Sequence, residues 1–274
     1  MKRKLFLLGL ILLNLPACAP LETIPYTPSQ SPETWLQIQP FAEFQFASQT
    51  VIFVQPSTSI IVYLLGILTI FFGVHFLRMY NNQRSRFWWG IALLLWGLGA
   101  LLAGTSYEAF SYAIKCAGRD LCLWTSGWEI VYLLFSAWSI DAIMVAVAYS
   151  SAIGKLRKIL IGYVLGNALV YTVLVLVGTL IPVKFLISFE FLLIVAGPSI
   201  LALFIINGRR YFKEKDRLDL VLFYTWLGLG ITIAAYFLYY LTGLTASLWE
   251  NGFWFSENDV LHIGLILWML YIRL

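Results

Sequence analysis

Long apolar stretches alternate with short polar connectors along most of the chain. They cover residues 58–77, 87–111, 128–150, 159–181, 185–206, 218–242 and 259–273. At about 1.5 Å of rise per residue, a helix of about 20 residues matches a hydrocarbon core of about 30 Å. The pattern therefore predicts an all-α, polytopic membrane protein whose residues 58–274 form a seven-helix transmembrane bundle. Ahead of it, residues 20–57 carry Pro, Ser, Thr and Gln with scattered aromatics and show no sustained period. That stretch predicts a largely irregular extracytoplasmic tail, with a short interfacial segment around Trp35 to Phe46.

Residues 1–19 follow a different pattern. Lys2, Arg3 and Lys4 precede an apolar run from Leu5 to Leu13, then Pro16 and small residues, which predicts a secretory signal peptide. The run is too short to span a bilayer. Leu15-Pro16-Ala17-Cys18 resembles the lipobox of bacterial lipoproteins, which implies a lipid on Cys18 and cleavage just ahead of it. Pro16 stands where that motif carries a small or aliphatic residue. Cleavage nearby and an uncleaved leader are the other readings.

Charge orients the helices. Arg78, Arg84 and Arg86 follow the first stretch, Lys155, Arg157 and Lys158 the third, and Arg209, Arg210, Lys213, Lys215 and Arg217 the fifth, with Arg273 near the end. The alternate connectors hold only Lys115, Arg119 and Lys184, beside Glu108, Asp120, Glu129, Glu250, Glu257 and Asp259. Because Lys and Arg are retained on the cytoplasmic side, this sorting predicts the tail outside and the C-terminus in the cytoplasm. A secretory leader predicts the same orientation. Together with the lipobox-like stretch it points to a multi-pass protein of a bacterial plasma membrane. Cys116 and Cys122 fall in an outer connector, where disulfides persist, and a bridge between them is expected in preference to metal binding.

Composition agrees. The chain is 61% hydrophobic and 12% charged, against about 45–50% and about 25% in soluble domains, so too few charges exist to build a water-soluble surface. Nucleic-acid binding is excluded as a reading, since no basic face with interleaved aromatics lies outside the connectors. The partners expected are the lipid bilayer and a membrane or extracytoplasmic protein. No P-loop, dinucleotide fingerprint, nucleophile elbow or H-E-x-x-H motif occurs. Gly162 and Gly166, spaced G-x-x-x-G, and the small residues Gly97, Gly99, Ala100, Ala103 and Gly104 predict close helix contacts.

Polar residues within the apolar stretches are costly and so are functional candidates. Asp141 and Asn167 lie at similar depth in the third and fourth stretches and are expected to meet, either as interhelical glue or as a proton or ion site. Glu190 sits early in the fifth stretch. With it, Glu108, Glu129 and Asp259, and His262 one turn after Asp259, gather at the outer ends and predict a polar cup. Catalysis would draw on Asp259, His262, Glu129 and Glu108, and a metal on His262, Asp259 and Glu108. The competing reading is helix capping, for which Asp259 beside Ser256 and Glu129 at the start of the third stretch are well placed.

The seven spans, the Gly-rich second span and a His near the start of the seventh are similar to the alkaline ceramidase-like superfamily of membrane hydrolases. That resemblance implies zinc held by one His after a G-x-G-S stretch and two at H-x-x-x-H spacing. Gly97-Leu98-Gly99-Ala100 resembles the start of the stretch, with Ala100 in the serine's place and Gly104 in the histidine's. Asn258 and Ile266 occupy the positions flanking His262, so one of three zinc histidines carries over. The leading expectation is a non-enzymatic membrane scaffold or binding protein without a cofactor. The alternatives are a metal-dependent membrane hydrolase, using zinc on a lipid amide, and a transporter or proton-coupled protein built on Asp141.

Overall fold

A computed structural model of the protein describes residues 16–46 and 49–273. The signal peptide expected over residues 1–19 lies mostly outside them, and nothing is described of the Cys18 side chain. The tail departs from expectation, because residues 20–57 are largely ordered rather than irregular. A 3-10 turn, Pro16–Thr23, leads to helix α1, Pro32–Gln37, and then to an antiparallel hairpin of β1, Phe41–Phe46, and β2, Gln49–Val54. Local signals account for both elements. The Ser31 hydroxyl accepts from the Thr34 amide at 3.3 Å while Thr34 Oγ1 accepts from the Ser31 amide at 2.8 Å, a reciprocal capping box. In the hairpin, Phe44 pairs with Val51 and Ala42 with Phe53, so apolar residues share one face. The Phe53 ring meets Phe110 edge-on at 6.0 Å, docking that face on the bundle.

Among the described residues six helices are long and apolar enough to cross a membrane: α2, Pro56–Arg78; α3, Arg84–Ala103, continued to Ala109 by a π-helical turn; α5, Gly127–Ser151; α6, Gly154–Leu180; α7, Phe189–Glu214; and α8, Arg217–Thr242. Short helices α4, Ser111–Lys115, and α9, Leu244–Glu250, lie in connectors, and α10, Glu257–Arg273, closes the chain. By their contacts, α2, α3, α5, α7, α8 and α10 form a closed ring in that order, and α6 packs outside it against α5. Helix α5 is the most buried of the long helices, with an unbroken buried run from Asp141 to Ala148.

Glycine sets one contact in the ring. A Cβ on Gly97 would lie 2.8 Å from the Gly66 carbonyl oxygen, and one on Gly73 would lie 3.0 Å from that of Gly90. Helices α2 and α3 thus pack backbone to backbone along a stripe in which both glycine pairs are spaced by seven. The contact expected at Gly162 and Gly166 is corrected: a Cβ at either would meet nothing within 4 Å, because that face of α6 points away from the bundle.

A buried polar network ties three helices at the basic end. Asn207 on α7 donates to Asp219 on α8 at 2.8 Å and to Ser151 on α5 at 3.2 Å, and accepts from the Trp226 indole at 2.9 Å. Arg210 completes it, its Nε donating to Asp219 Oδ2 at 2.8 Å. Every buried oxygen of Asp219 therefore has a donor, as burial of a carboxylate requires.

Candidate functional site

The acidic end of the ring carries the residues singled out from the sequence, and the tail is stitched over it. The amides of Cys122 and Trp124 donate to the Gln30 and Ile24 carbonyls at 2.8 and 3.1 Å. Lys184 Nζ donates to the Pro25 carbonyl at 2.8 Å. Cys116 and Cys122 form the expected disulfide. It closes the turn after α4 and so fixes Lys115, the last residue of that helix.

Lys115 is the group that sequence reasoning passed over. It counted only as one of three basic residues on the acidic side, yet it is buried and its Nζ lies 2.6 Å from Glu129 Oε1, each side chain 1% exposed. The ammonium also faces the Tyr107 ring at 4.9 Å and the Trp35 ring at 5.7 Å. Burial alone would pull Lys115 down, but the Glu129 carboxylate and Tyr26 hydroxyl outweigh it, and the net direction is upward. Burial in turn pushes the Tyr26 hydroxyl up. One signal was available: Lys115 adjoins a bridged cysteine, in a connector otherwise anchored by Glu129.

Asp259 is fully buried and serves as a helix cap. Its Oδ2 accepts from the Ser256 amide at 2.6 Å and the Thr58 hydroxyl at 3.1 Å, and its own amide donates to Ser256 Oγ at 3.4 Å. The carboxylate thus sits at the N-termini of both α2 and α10, where two sets of free amides favour negative charge. Its Oδ1 has no hydrogen-bond partner.

Glu108 lies in the π-helical turn Gly104–Ala109, where the Phe110 amide reaches the Thr105 carbonyl at 3.0 Å. Such turns recur at functional sites. The side chain is 4% exposed, within electrostatic range of Lys115, Glu129 and Asp259, and its Oε2 has no hydrogen-bond partner. Glu108 thus stands between the two other carboxylates, Glu129 paired with Lys115 and Asp259 held by Ser256 and Thr58. Glu190, expected with them at the cup, is corrected: it is exposed in the first turn of α7.

His262 does not join them. No hydrogen bond links it to Asp259, and its buried Nδ1 is without a partner. Instead it lines a cavity of about 140 Å³ in the middle of the helix ring, with Leu65, Trp96, Tyr132, Ser136 and Leu229. The wall is apolar apart from the Tyr132, Ser136 and His262 polar atoms. Among the described residues no three His, Cys, Asp or Glu side chains converge as a metal site would need. At Gly104, where the zinc-hydrolase pattern carries a histidine, a Cβ would come within 2.3 Å of Val62 Cγ1. The residues present do not fit a zinc centre.

Asp141 and Asn167 meet as expected, the Asn167 amide donating to Asp141 Oδ1 at 2.9 Å. Asp141 is 3% exposed, its Oδ2 is unpartnered, and it borders a second pocket, of about 260 Å³, between α3, α5 and α6.

A family model described as a family of unknown function (DUF6962) matches residues 57–274. No curated protein and no solved structure matches the chain.

Proposed function

The chain belongs to the DUF6962 family, whose function is unknown, and from its own geometry we propose a non-enzymatic membrane binding or scaffold protein. On this reading α10 is a seventh span, the N-terminal side faces outward, and the leader delivers the chain to a bacterial plasma membrane, with Cys18 as its lipid anchor. The tail and hairpin roof an outward-facing cup, and the apolar cavity beneath receives a hydrophobic chain whose polar atom hydrogen-bonds His262.

The observation that carries the reading is the division of labour among the polar groups. Glu129 is held by Lys115 and Asp259 by two helix ends, so neither is free for acid–base or metal chemistry. The unpartnered imidazole faces a small apolar cavity of about 140 Å³, which suits a short length of hydrophobic chain better than a hydrolytic centre.

The test is paired zinc and lipid analysis of protein purified in mild detergent. The expected result is sub-stoichiometric zinc together with a retained hydrophobic molecule. That molecule should be lost from Ala196→Phe, which fills the cavity. Stoichiometric zinc that disappears in His262→Ala would overturn the reading in favour of the hydrolase.

Asp141 favours a second reading, proton-coupled transport, because its free Oδ2 borders a pocket at mid-helix. Asp141→Asn should leave both folding and ligand retention intact if the pair is interhelical glue. Selective loss of pH-dependent flux in vesicles would support transport instead.

A further inference from the structure

We propose that a pocket at the basic end of the bundle binds a phosphate group, carried by a lipid of the adjoining leaflet or free in solution. The pocket, of about 710 Å³, is walled by Arg84, Arg86 and Arg157 and floored by apolar side chains including Phe76, Trp89 and Leu222. It lies at the opposite end of the helices from the cup and does not depend on the function proposed for it.

The three guanidiniums are brought together by specific contacts. Tyr149 gathers two of them, Arg84 at 5.5 Å and Arg157 at 5.4 Å from its ring centre. Arg157 Nε is taken by the carbonyls of Ala148 and Ala152, at 3.2 and 2.9 Å, where it caps the end of α5. Its two Nη atoms make no hydrogen bond among the described residues. Arg86 Nη1 donates to the Met79 carbonyl at 3.0 Å, across a turn in which Asn81 and Asn82 adopt positive φ. That turn sets Asn82 and Gln83 on the pocket rim.

Among the described residues no carboxylate side chain offsets this charge. None of the three arginines has an acidic partner there, whereas Lys115 and Arg119 each have one and Arg210 has two. The carboxylate next in line, Asp219 beside the lining residue Leu218, is already held by Arg210 and Asn207.

Retention of basic residues on one side explains why arginines occur in these connectors, but not why three share a pocket. The cations at the end of α7, Arg209, Lys213 and Lys215, follow the same rule and line no part of it. Like charges held together without a counter-charge repel, and a multivalent anion relieves that repulsion. Guanidiniums match phosphate oxygens with paired donors. The apolar floor, continuous with the helix ring, suits the first carbons of an attached chain, as in basic lipid pockets between membrane helices.

The experiment uses the full chain in zwitterionic nanodiscs, titrated in parallel with short-chain phosphatidic acid and with inorganic phosphate. Binding is read by tryptophan fluorescence, since Trp89 lines the pocket. The variants are Arg84→Gln/Arg86→Gln, which spares the Arg157 cap, and Arg209→Gln, which removes an exposed cation outside the pocket. The expected result is saturable binding weakened at least about tenfold in the double variant and unchanged in Arg209→Gln. Saturation by both probes assigns the site to phosphate as such, and saturation by phosphatidic acid alone assigns it to a lipid headgroup. Saturation by inorganic phosphate alone assigns it to a soluble anion. If the double variant is not monodisperse, Ser150→Glu, which sets a carboxylate on the wall without touching an arginine, should give the same loss. No saturable binding by either probe, or an equal loss in Arg209→Gln, would overturn the proposal.

Discussion

Replacing Lys115 by Met isolates the ion pair that braces the acidic end. The ammonium and the Glu129 carboxylate are 2.6 Å apart, each 1% exposed, so water cannot take over when one partner is removed. Breaking a buried pair from one side costs about 3–5 kcal/mol, mostly because the remaining charge stays buried without compensation. Lys115→Met strands two carboxylates, since Glu108 also lies in electrostatic range of this one cation. Glu129→Gln leaves Lys115 beside Glu108, so it should cost less. The double replacement, Lys115→Met with Glu129→Gln, should recover the part of the loss that belongs to Glu129, because that pair is then neutral, and leave the part that belongs to Glu108.

The assay is reversible unfolding in mixed micelles titrated with sodium dodecyl sulfate and followed by tryptophan fluorescence. Since Lys115 is shifted upward in the folded state, the stability the pair supplies is fully present below the unfolded lysine value of about 10.4. It is lost only as pH rises through the higher folded value. The penalty of Lys115→Met should therefore be equal at about pH 8 and about pH 9. A cost below about 1 kcal/mol, or a Glu129→Gln penalty equal to or larger than that of Lys115→Met, would refute the reasoning.

Two further outcomes follow from packing. Replacing Cys116 and Cys122 by Ser opens a loop of sequence separation 6, which by chain entropy costs about 2 kcal/mol. Hydrogen exchange should quicken at the Leu123 amide, which donates to the Lys115 carbonyl, and an unchanged rate there would count against the bridge as the brace of Lys115. Gly97→Ala forces a methyl to within 2.8 Å of the Gly66 carbonyl and should cost about 1–3 kcal/mol in the same unfolding assay. Gly166→Ala, facing open space, should be neutral or stabilising by up to about 1 kcal/mol. The reverse order would show that α2 and α3 do not meet where described.

The site was partly legible from the residues. The Asp141–Asn167 contact followed from equal depth in antiparallel helices, and the Asp259 cap from Ser256 and Asn258 just ahead of an apolar run. The disulfide followed from two cysteines in one connector. The ordered tail was missed because its apolar residues fall in short runs broken by Pro, Ser, Thr and Gln, with no sustained period. Its elements rest on a capping box and on cross-strand pairing, and the second appears only once register is known. Lys115 was missed because a basic residue in a connector has the same signature whether it faces water or a buried carboxylate.

By itself the sequence determined that the chain is built from long apolar helices and on which connectors the basic residues collect, whereas of the seven stretches expected six are helices long and apolar enough to cross a bilayer among the described residues. Those properties follow from length and transfer cost, which are additive along a chain. Only the tertiary structure decided which face of each helix turns inward. A membrane helix is apolar all round, so its periodicity carries almost no direction. Hence Gly162 and Gly166 look outward while Gly66 and Gly97 touch, and α6 stands outside the ring while α5 is its most buried member. For the same reason Arg84, Arg86 and Arg157, drawn from two connectors, converge on one pocket.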